Sequence, residues 1–288
     1  MSLRLGKLPA VDDPRDLLFA DVRPHGVALP KIPKPGGGYG MDFGASGWGM
    51  LGNGPQDDSS IDPSWAAAEG AGNCEIAGPC HDIMEGQKNS GHPVSRFTCL
   101  SAIKDYTKFL QSVQPGHAYD PQSGANDTGC NTQQVLSWRQ KVGITDANGT
   151  VHKIGPYFRV KAGDFGEMWD ALWLAECIGI GIEPFPQSAM DQFNAGQPWE
   201  PVKGSPASEG HWVIIVGHPT ENVWTGISWG RRQLIVPAFI TEYVTECWAW
   251  IDPERFTAVT GKDVHGFTAA DVQRYLAVTA QQVAAQFG

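Results

Sequence analysis

Gly72-Asn73-Cys74-Glu75-Ile76-Ala77-Gly78-Pro79-Cys80-His81-Asp82-Ile83-Met84 is the stretch from which the rest of the chain can be read. Cys74, Ala77 and His81 recur at helical spacing, while Ile76, Cys80, Ile83 and Met84 form an apolar stripe, which predicts a helix opening at or just before Cys74. A thiol at a helix N-terminus meets free N–H groups and the positive end of the macrodipole, both of which favour the thiolate. That places a candidate nucleophile at the start of a half-buried helix.

Outward from this helix, the first half of the chain reads as mainly helical. Ser95 or Thr98 can cap a second helix running to about Gln111, and Asn131 a third that stops at Gly143. After about residue 150 the texture turns to strands: YFRV (157–160), a helix around DFGEMWDALWLAEC (164–177), and the apolar run IGIGIE (178–183). A long polar loop is expected over 184–210. HWVIIVGH, NVWTGISWG, RQLIV and CWAWID then read as short strands, with PAFITEYVTE as a helical insertion between the last two. Helices first and antiparallel strands after is an α+β pattern with two lobes in one unit.

Residues 1–50 are rich in Pro and Gly and read as an extended arm. Leu3, Leu5, Leu8, Leu17, Leu18 and Phe19 would tie it to the body at 51–252. Residues 253–288 form an extension that carries an amphipathic helix capped by Thr268.

Composition narrows the function classes. With 41% hydrophobic residues and 11 Trp the chain can bury a large core, which excludes a disordered chain. The formal net charge is −10 and no basic run interrupts it, so nucleic acid is not an expected partner. No apolar stretch nears the roughly 18 residues of a membrane span, and MSLRLGKLPAVDDPRD lacks a signal core, so a soluble, cytoplasmic protein is expected, with association to a virion left open. Six cysteines without a CxxC pair suggest neither a zinc ribbon nor a redox couple. Neither cofactor nor metal is expected, and Asp57, Asp58 and Asp62 lack the spacing of a calcium loop.

A thiol nucleophile needs a base, and His211 follows a Gly-rich loop at the mouth of an apolar strand, 137 residues after Cys74. At this point the residues resemble the papain-like cysteine peptidases. Gly72-Asn73-Cys74-Glu75-Ile76-Ala77 is similar to that family's Gly-x-Cys-x-x-Ala, Gly210-His211-Trp212-Val213-Ile214-Ile215-Val216-Gly217 to its His strand, and Ser228-Trp229-Gly230 to its Ser-Trp-Gly. The similarity runs from about residue 50 to 252. GMLGN, GNCEIAG, SAMDQFNAG and SWGR look closest to phage and bacterial proteins of that fold.

The resemblance implies a papain-like two-lobed fold and a thiol hydrolase that cleaves a peptide or other amide through an acyl-enzyme on Cys74, with His211 moving the proton. Two positions depart from it. The family's Asn before Ser-Trp-Gly is Ile227 here, leaving Ser228 as the residue to orient His211; the family's oxyanion Gln, six residues before the Cys, is Ala68, leaving Asn53 to serve with the Cys74 N–H. A papain-fold scaffold with an idle cleft, a phage structural or accessory component with a protein partner, is the reading from a different class. A transferase using the same acyl chemistry is a third. Cys74 is expected to be the most reactive of the six thiols.

Overall fold

The structure, a computed structural model, describes residues 5–22, 71–257, 260–263 and 266–275. The helices are α1 (Phe19–Val22), α2 (Cys74–Ser90), α3 (Cys99–Val113), α4 (Thr132–Lys141), α5 (Phe165–Ala175), α6 (Gln187–Asn194), α7 (Pro237–Tyr243) and α8 (Ala269–Tyr275). The strands are β1 (Ile144–Thr145), β2 (Val151–His152), β3 (Tyr157–Val160), β4 (Ile178–Ile182), β5 (Phe185–Pro186), β6 (Ala207–Ser208), β7 (His211–Thr220), β8 (Val223–Ser228), β9 (Arg231–Ile235) and β10 (Val244–Trp250).

Local chemistry sets the helix ends where the sequence signals them. Thr98 and Ser101 form a reciprocal capping box on α3, the Asn131 side chain accepts from Gln134 N–H at the start of α4, and Asp164 does the same for Glu167 on α5. The α2 helix ends at Gly91, whose φ of 78° gives the left-handed cap.

One six-stranded antiparallel sheet, in the order β3-β10-β4-β7-β8-β9, forms the second lobe. One apolar cluster joins the sheet to α5, α6 and α7 through Leu172, Ile180, Val213, Phe193 and Phe239. A second fills the helical lobe, with Ile76, Cys80 and Ile83 of α2 against Ile103, Tyr106 and Phe109 of α3. A third lies between α2 and the sheet: Cys74 packs with Trp212, Ile214, Ile227, Trp248 and Trp250. Because β7 is covered on both faces, it reads as a continuous apolar run rather than an alternation.

Enclosure also explains the polar residues of α2, which is buried at every position except Lys88 and Asn89. Asp82 takes an ion pair from Arg255, another from Arg139 at 3.1 Å, and a hydrogen bond from the Trp250 indole at 2.8 Å. Arg255 also reaches Glu176 at 3.2 Å and Glu85 at 3.5 Å. Burial would raise the Asp82 carboxyl, but the two guanidinium groups outweigh it and hold its pKa below the usual value. Arg255 lies past residue 252, yet it is part of the interior, as is Val272 of α8.

The segment 184–210, read as a loop, contains α6 and the short β5–β6 ladder. Eight residues are too few to hold a helix by propensity. Here Ala189 and Phe193 anchor it on the core, and Phe193 meets Trp229 with ring centroids 4.8 Å apart.

Candidate active site

Cys74 is the first residue of α2 and is buried. The turn before it is pinned from a distance. The Asp127 carboxylate accepts the Gly72 N–H at 3.0 Å and the Tyr106 hydroxyl at 2.6 Å, and the Tyr106 oxygen in turn accepts the Gly129 N–H. The Cys74 sulfur lies within hydrogen-bonding reach of the Trp212 N–H, so the residue after His211 touches the thiol.

His211 opens β7, and its Nε2 is 2.8 Å from Ser228 Oγ on β8. Ile214 pairs with Ile227, so Ser228 stands opposite Val213, on the face that His211 shares by two-residue alternation. Ile227 faces the other way, into the cluster with Cys74 and Trp212. The Nδ1 of His211 is buried and makes no hydrogen bond among the described residues. With Ser228 accepting from Nε2–H, Nδ1 is the bare nitrogen that can take a proton; the other tautomer would bury an unpaired N–H. Trp229 stacks on the ring at 4.3 Å, and Phe185 and Trp199 meet it edge-on.

A strap formed by Leu5–Leu8 crosses between the lobes. Gly6 and Lys7 N–H groups donate to Gly210 O at 3.2 and 3.0 Å, while on the other side Cys130 N–H donates to Gly6 O and Leu8 N–H to Cys130 O, both at 2.7 Å. The Gly6 N–H also reaches the Cys74 sulfur. Gly6 passes so close to the Gly72 carbonyl that a side chain at Gly6 would collide with backbone.

These contacts overturn one expectation. The helix N-terminus predicts a lowered thiol pKa, but burial and then the neighbouring Glu75 push Cys74 up to about 12, and burial takes His211 down to about 3. In this conformation the thiol and imidazole are both neutral. All six cysteines are free and buried.

Of the four residues picked out by sequence, Cys74 comes to the segment that holds His211, and Ser228 bonds that imidazole. Asn53 lies outside the described residues, as do Asp57, Asp58 and Asp62. The arm's Phe19 is buried and Leu5 and Leu17 pack on the core, whereas Leu8 and Leu18 are exposed; Leu3 lies outside the described residues. Missed by sequence were Asp127 and Tyr106, which hold the Gly72 turn, and Lys7 with Glu246, described below. None belongs to a local pattern. Among the described residues no three His, Cys, Asp or Glu side chains converge as a metal site requires, and no helix is long and apolar enough to cross a membrane.

No protein-family model and no curated protein matches the sequence. Solved structures do match the fold. Xylellain, a cysteine protease from Xylella fastidiosa, superposes with a TM-score of 0.56 at 13% identity, covering 87% of this chain and 96% of that one. Digestive procathepsin L 3 of Tenebrio molitor larval midgut gives a TM-score of 0.49 at 12% identity, covering 82% and 76%. The Carica candamarcensis cysteine protease CMS1MS2 gives 0.44 at 13%, covering 64% and 90%. With helices on one side of Cys74, an antiparallel sheet on the other, and the likeness to xylellain over most of both chains, this chain has the two-lobed α+β fold of the papain-like cysteine proteases.

Proposed function

We propose that this chain is a thiol hydrolase that cleaves a peptide or other amide. The observation that carries the reading is that the Cys74 sulfur, at the head of α2, meets the backbone of Trp212, next to a His211 whose Nε2 is held by Ser228 and whose Nδ1 has no hydrogen bond among the described residues. With the His211 ring turned toward the sulfur side of β7, Nδ1 would take the thiol proton as the sulfur adds to the substrate carbonyl. The resulting oxyanion would be met by the Cys74 N–H at the start of α2, with Asn53 as the expected second donor. Collapse to the thioester releases the amine, which takes its proton from the imidazolium, and water then hydrolyses the thioester by the same relay. An amine in place of water would make the reaction an acyl transfer. Ser228 is a positioning residue: it fixes the tautomer without touching the substrate.

A specific observation favours a second reading. The thiol and imidazole are neutral beneath the strap, as they would be in an idle papain-fold scaffold. The resemblance to phage and bacterial proteins makes a virion accessory protein the form that reading takes. The test is to treat the full chain and its Lys7→Ala variant with a thiol-directed electrophile, map the modified cysteine by mass spectrometry, and measure hydrolysis of a mixed fluorogenic peptide library. The hydrolase reading expects Cys74 to be modified and hydrolysis to vanish in Cys74→Ala. Modification of other cysteines only, or hydrolysis unchanged in Cys74→Ala, would leave the scaffold.

A further inference from the structure

The Lys7 side chain leaves the strap and enters the interior with no solvent exposure. Its ammonium lies 2.7 Å from Glu246 on β10 and 3.2 Å from Glu183, and it donates to Leu8 O at 2.8 Å. The pocket around it is built to hold a cation. Glu246 Oε1 also accepts from Thr132 at 2.9 Å, and Glu246 Oε2 accepts the Trp248 indole N–H at 2.8 Å, so this carboxylate is fixed whether or not Lys7 is there. Glu75, the residue after Cys74, has its Oε1 3.2 Å from the same Thr132 hydroxyl oxygen, while its Oε2 is buried and makes no hydrogen bond among the described residues. Gly181 on β4 forms part of the wall: a Cβ there would strike the Lys7 stem and the Glu246 side chain.

Burial alone would lower the Lys7 pKa, but Glu246, with Glu75 and Glu183, outweighs it and keeps the ammonium charged. A strap that withdrew would strand the buried Glu246 carboxylate without its cation, which is strongly unfavourable unless another cation replaces it. The Lys7 site lies one residue along the strap from the backbone position at the Cys74 sulfur, which the Gly6 N–H reaches.

We infer that the pocket of Glu75, Glu183 and Glu246 is a specificity pocket for a lysine or arginine side chain of the substrate, and that Lys7 is its internal occupant. The site then favours chains carrying a basic residue next to a small one, because the strap residue at the sulfur is Gly6, with no room for a side chain against Gly72. This inference rests on the hydrolase reading, and its test separates the two.

In the full-length Lys7→Ala protein, Cys74 labelling is compared for peptidyl ketones ending in Lys-Gly, Leu-Gly and Glu-Gly at the reactive group, which set the side chain beside the glycine at the sulfur with the chain running opposite to Gly6–Lys7. The expected result is labelling at least tenfold faster with Lys-Gly than with Leu-Gly, Glu-Gly slowest, and the preference lost in Lys7→Ala/Glu246→Gln. Because Glu246 is buried and that variant can fail to fold, Lys7→Ala/Glu183→Gln, altered at the rim, is the second variant and should weaken the preference several-fold. Equal rates for the three ketones, or a preference for Leu-Gly, overturn the pocket while leaving the hydrolase reading standing. A second arm reads the pocket without the thiol: butylammonium should raise the Tm of Lys7→Ala and butanol should not, with neither acting on the wild-type chain. If no ketone labels Cys74 while butylammonium still stabilises, the hydrolase reading fails and the cation pocket remains; equal effects of butylammonium and butanol remove the pocket.

Discussion

The imidazole of His211 lies flat against the indole of Trp229, ring centroids 4.3 Å apart and planes within 12°. Trp229 reaches this position at a backbone cost. It and Gly230 form the two-residue turn between β8 and β9, with φ of 44° and 69°, a pairing that suits hairpin twist but is strained for a bulky residue. Phe185, Phe193 and Trp199 surround the indole edge-on and hold it there. Strain of this kind persists only where packing over-determines it. The plane of the His211 ring is thus set by stacking on a turn residue.

Replacing Trp229 by Gly relaxes the turn and uncovers His211. Loss of the packed indole, offset by the relieved φ, should cost about 2–4 kcal/mol in urea unfolding. Water reaching the ring lifts the desolvation that holds its pKa down to about 3, so the His211 resonance in an imidazole NMR titration should move toward the ordinary histidine range. An unmoved titration would mean that the sheet, rather than Trp229, buries the ring.

Ser228→Ala leaves His211 Nε2 buried with no partner, at a cost of about 1–3 kcal/mol. Adding an asparagine at position 227 as well, Ser228→Ala with Ile227→Asn, should not recover the loss. Ile227 points into the cluster of Cys74, Trp212 and Trp248, so its amide would be buried on the wrong face of β8. Thermal melts of the single and double variants check both statements: recovery in the double variant contradicts the face assignment.

The legibility of this site follows the range of the interactions that build it. Cys74 at the head of α2 was readable because helical spacing and Gly72-Asn73 are local, and His211 because a covered strand is written as an unbroken apolar run. Ser228 was reachable from the two-residue alternation of a strand. The strap was not. Lys7 meets Glu246 across 239 positions, and neither residue belongs to a periodic pattern. The thiol pKa went the other way for the same reason: the helix N-terminus is a local argument, whereas the burial that wins comes from long-range packing of Cys74 against the sheet, and it outweighs the Trp212 and Gly6 N–H groups that favour the thiolate. The α6 helix was missed because its stability comes from Phe193 against Trp229 rather than from its own eight residues.

Among the described residues, Arg255 is the cation that pairs with Asp82, Glu85 and Glu176 together. Arg255→Met keeps most of the stem's volume and removes the charge, leaving Asp82 to Arg139 alone and taking the cation away from Glu85 and Glu176, so a loss of about 3–5 kcal/mol is expected at pH 7. The sign of the pH dependence is fixed by Asp82, whose folded pKa is depressed. Its stabilising contribution is complete above the unfolded value of roughly 4 and fades as pH falls through the folded value. The variant should therefore lose less, relative to wild type, in strong acid than at neutral pH. Denaturant melts at pH 7 and pH 3 measure the difference, and an equal loss at both would show that Arg255 acts through packing alone.

The pH dependence of Cys74 alkylation separates the closed strap from an open one. Iodoacetamide reacts with the thiolate, and a thiol pushed up to about 12 contributes a thiolate fraction that grows tenfold per pH unit well below its pKa. In the wild-type chain the rate should therefore climb without a plateau from pH 6 to pH 10. It should also be insensitive to His211→Ala at pH 6, because an imidazole held down to about 3 is already neutral there and supplies no charge. Lys7→Ala releases the anchor of the strap, and with it the part of the Cys74 burial that the strap supplies. In that background the thiolate–imidazolium pair becomes available, so alkylation at pH 6 should rise at least tenfold and fall back when His211→Ala is added, while the rates at pH 10 converge. Should Lys7→Ala leave the profile as steep and as slow as in the wild type, the strap is not what keeps Cys74 neutral, and the burial must come from Trp212 and the third apolar cluster instead.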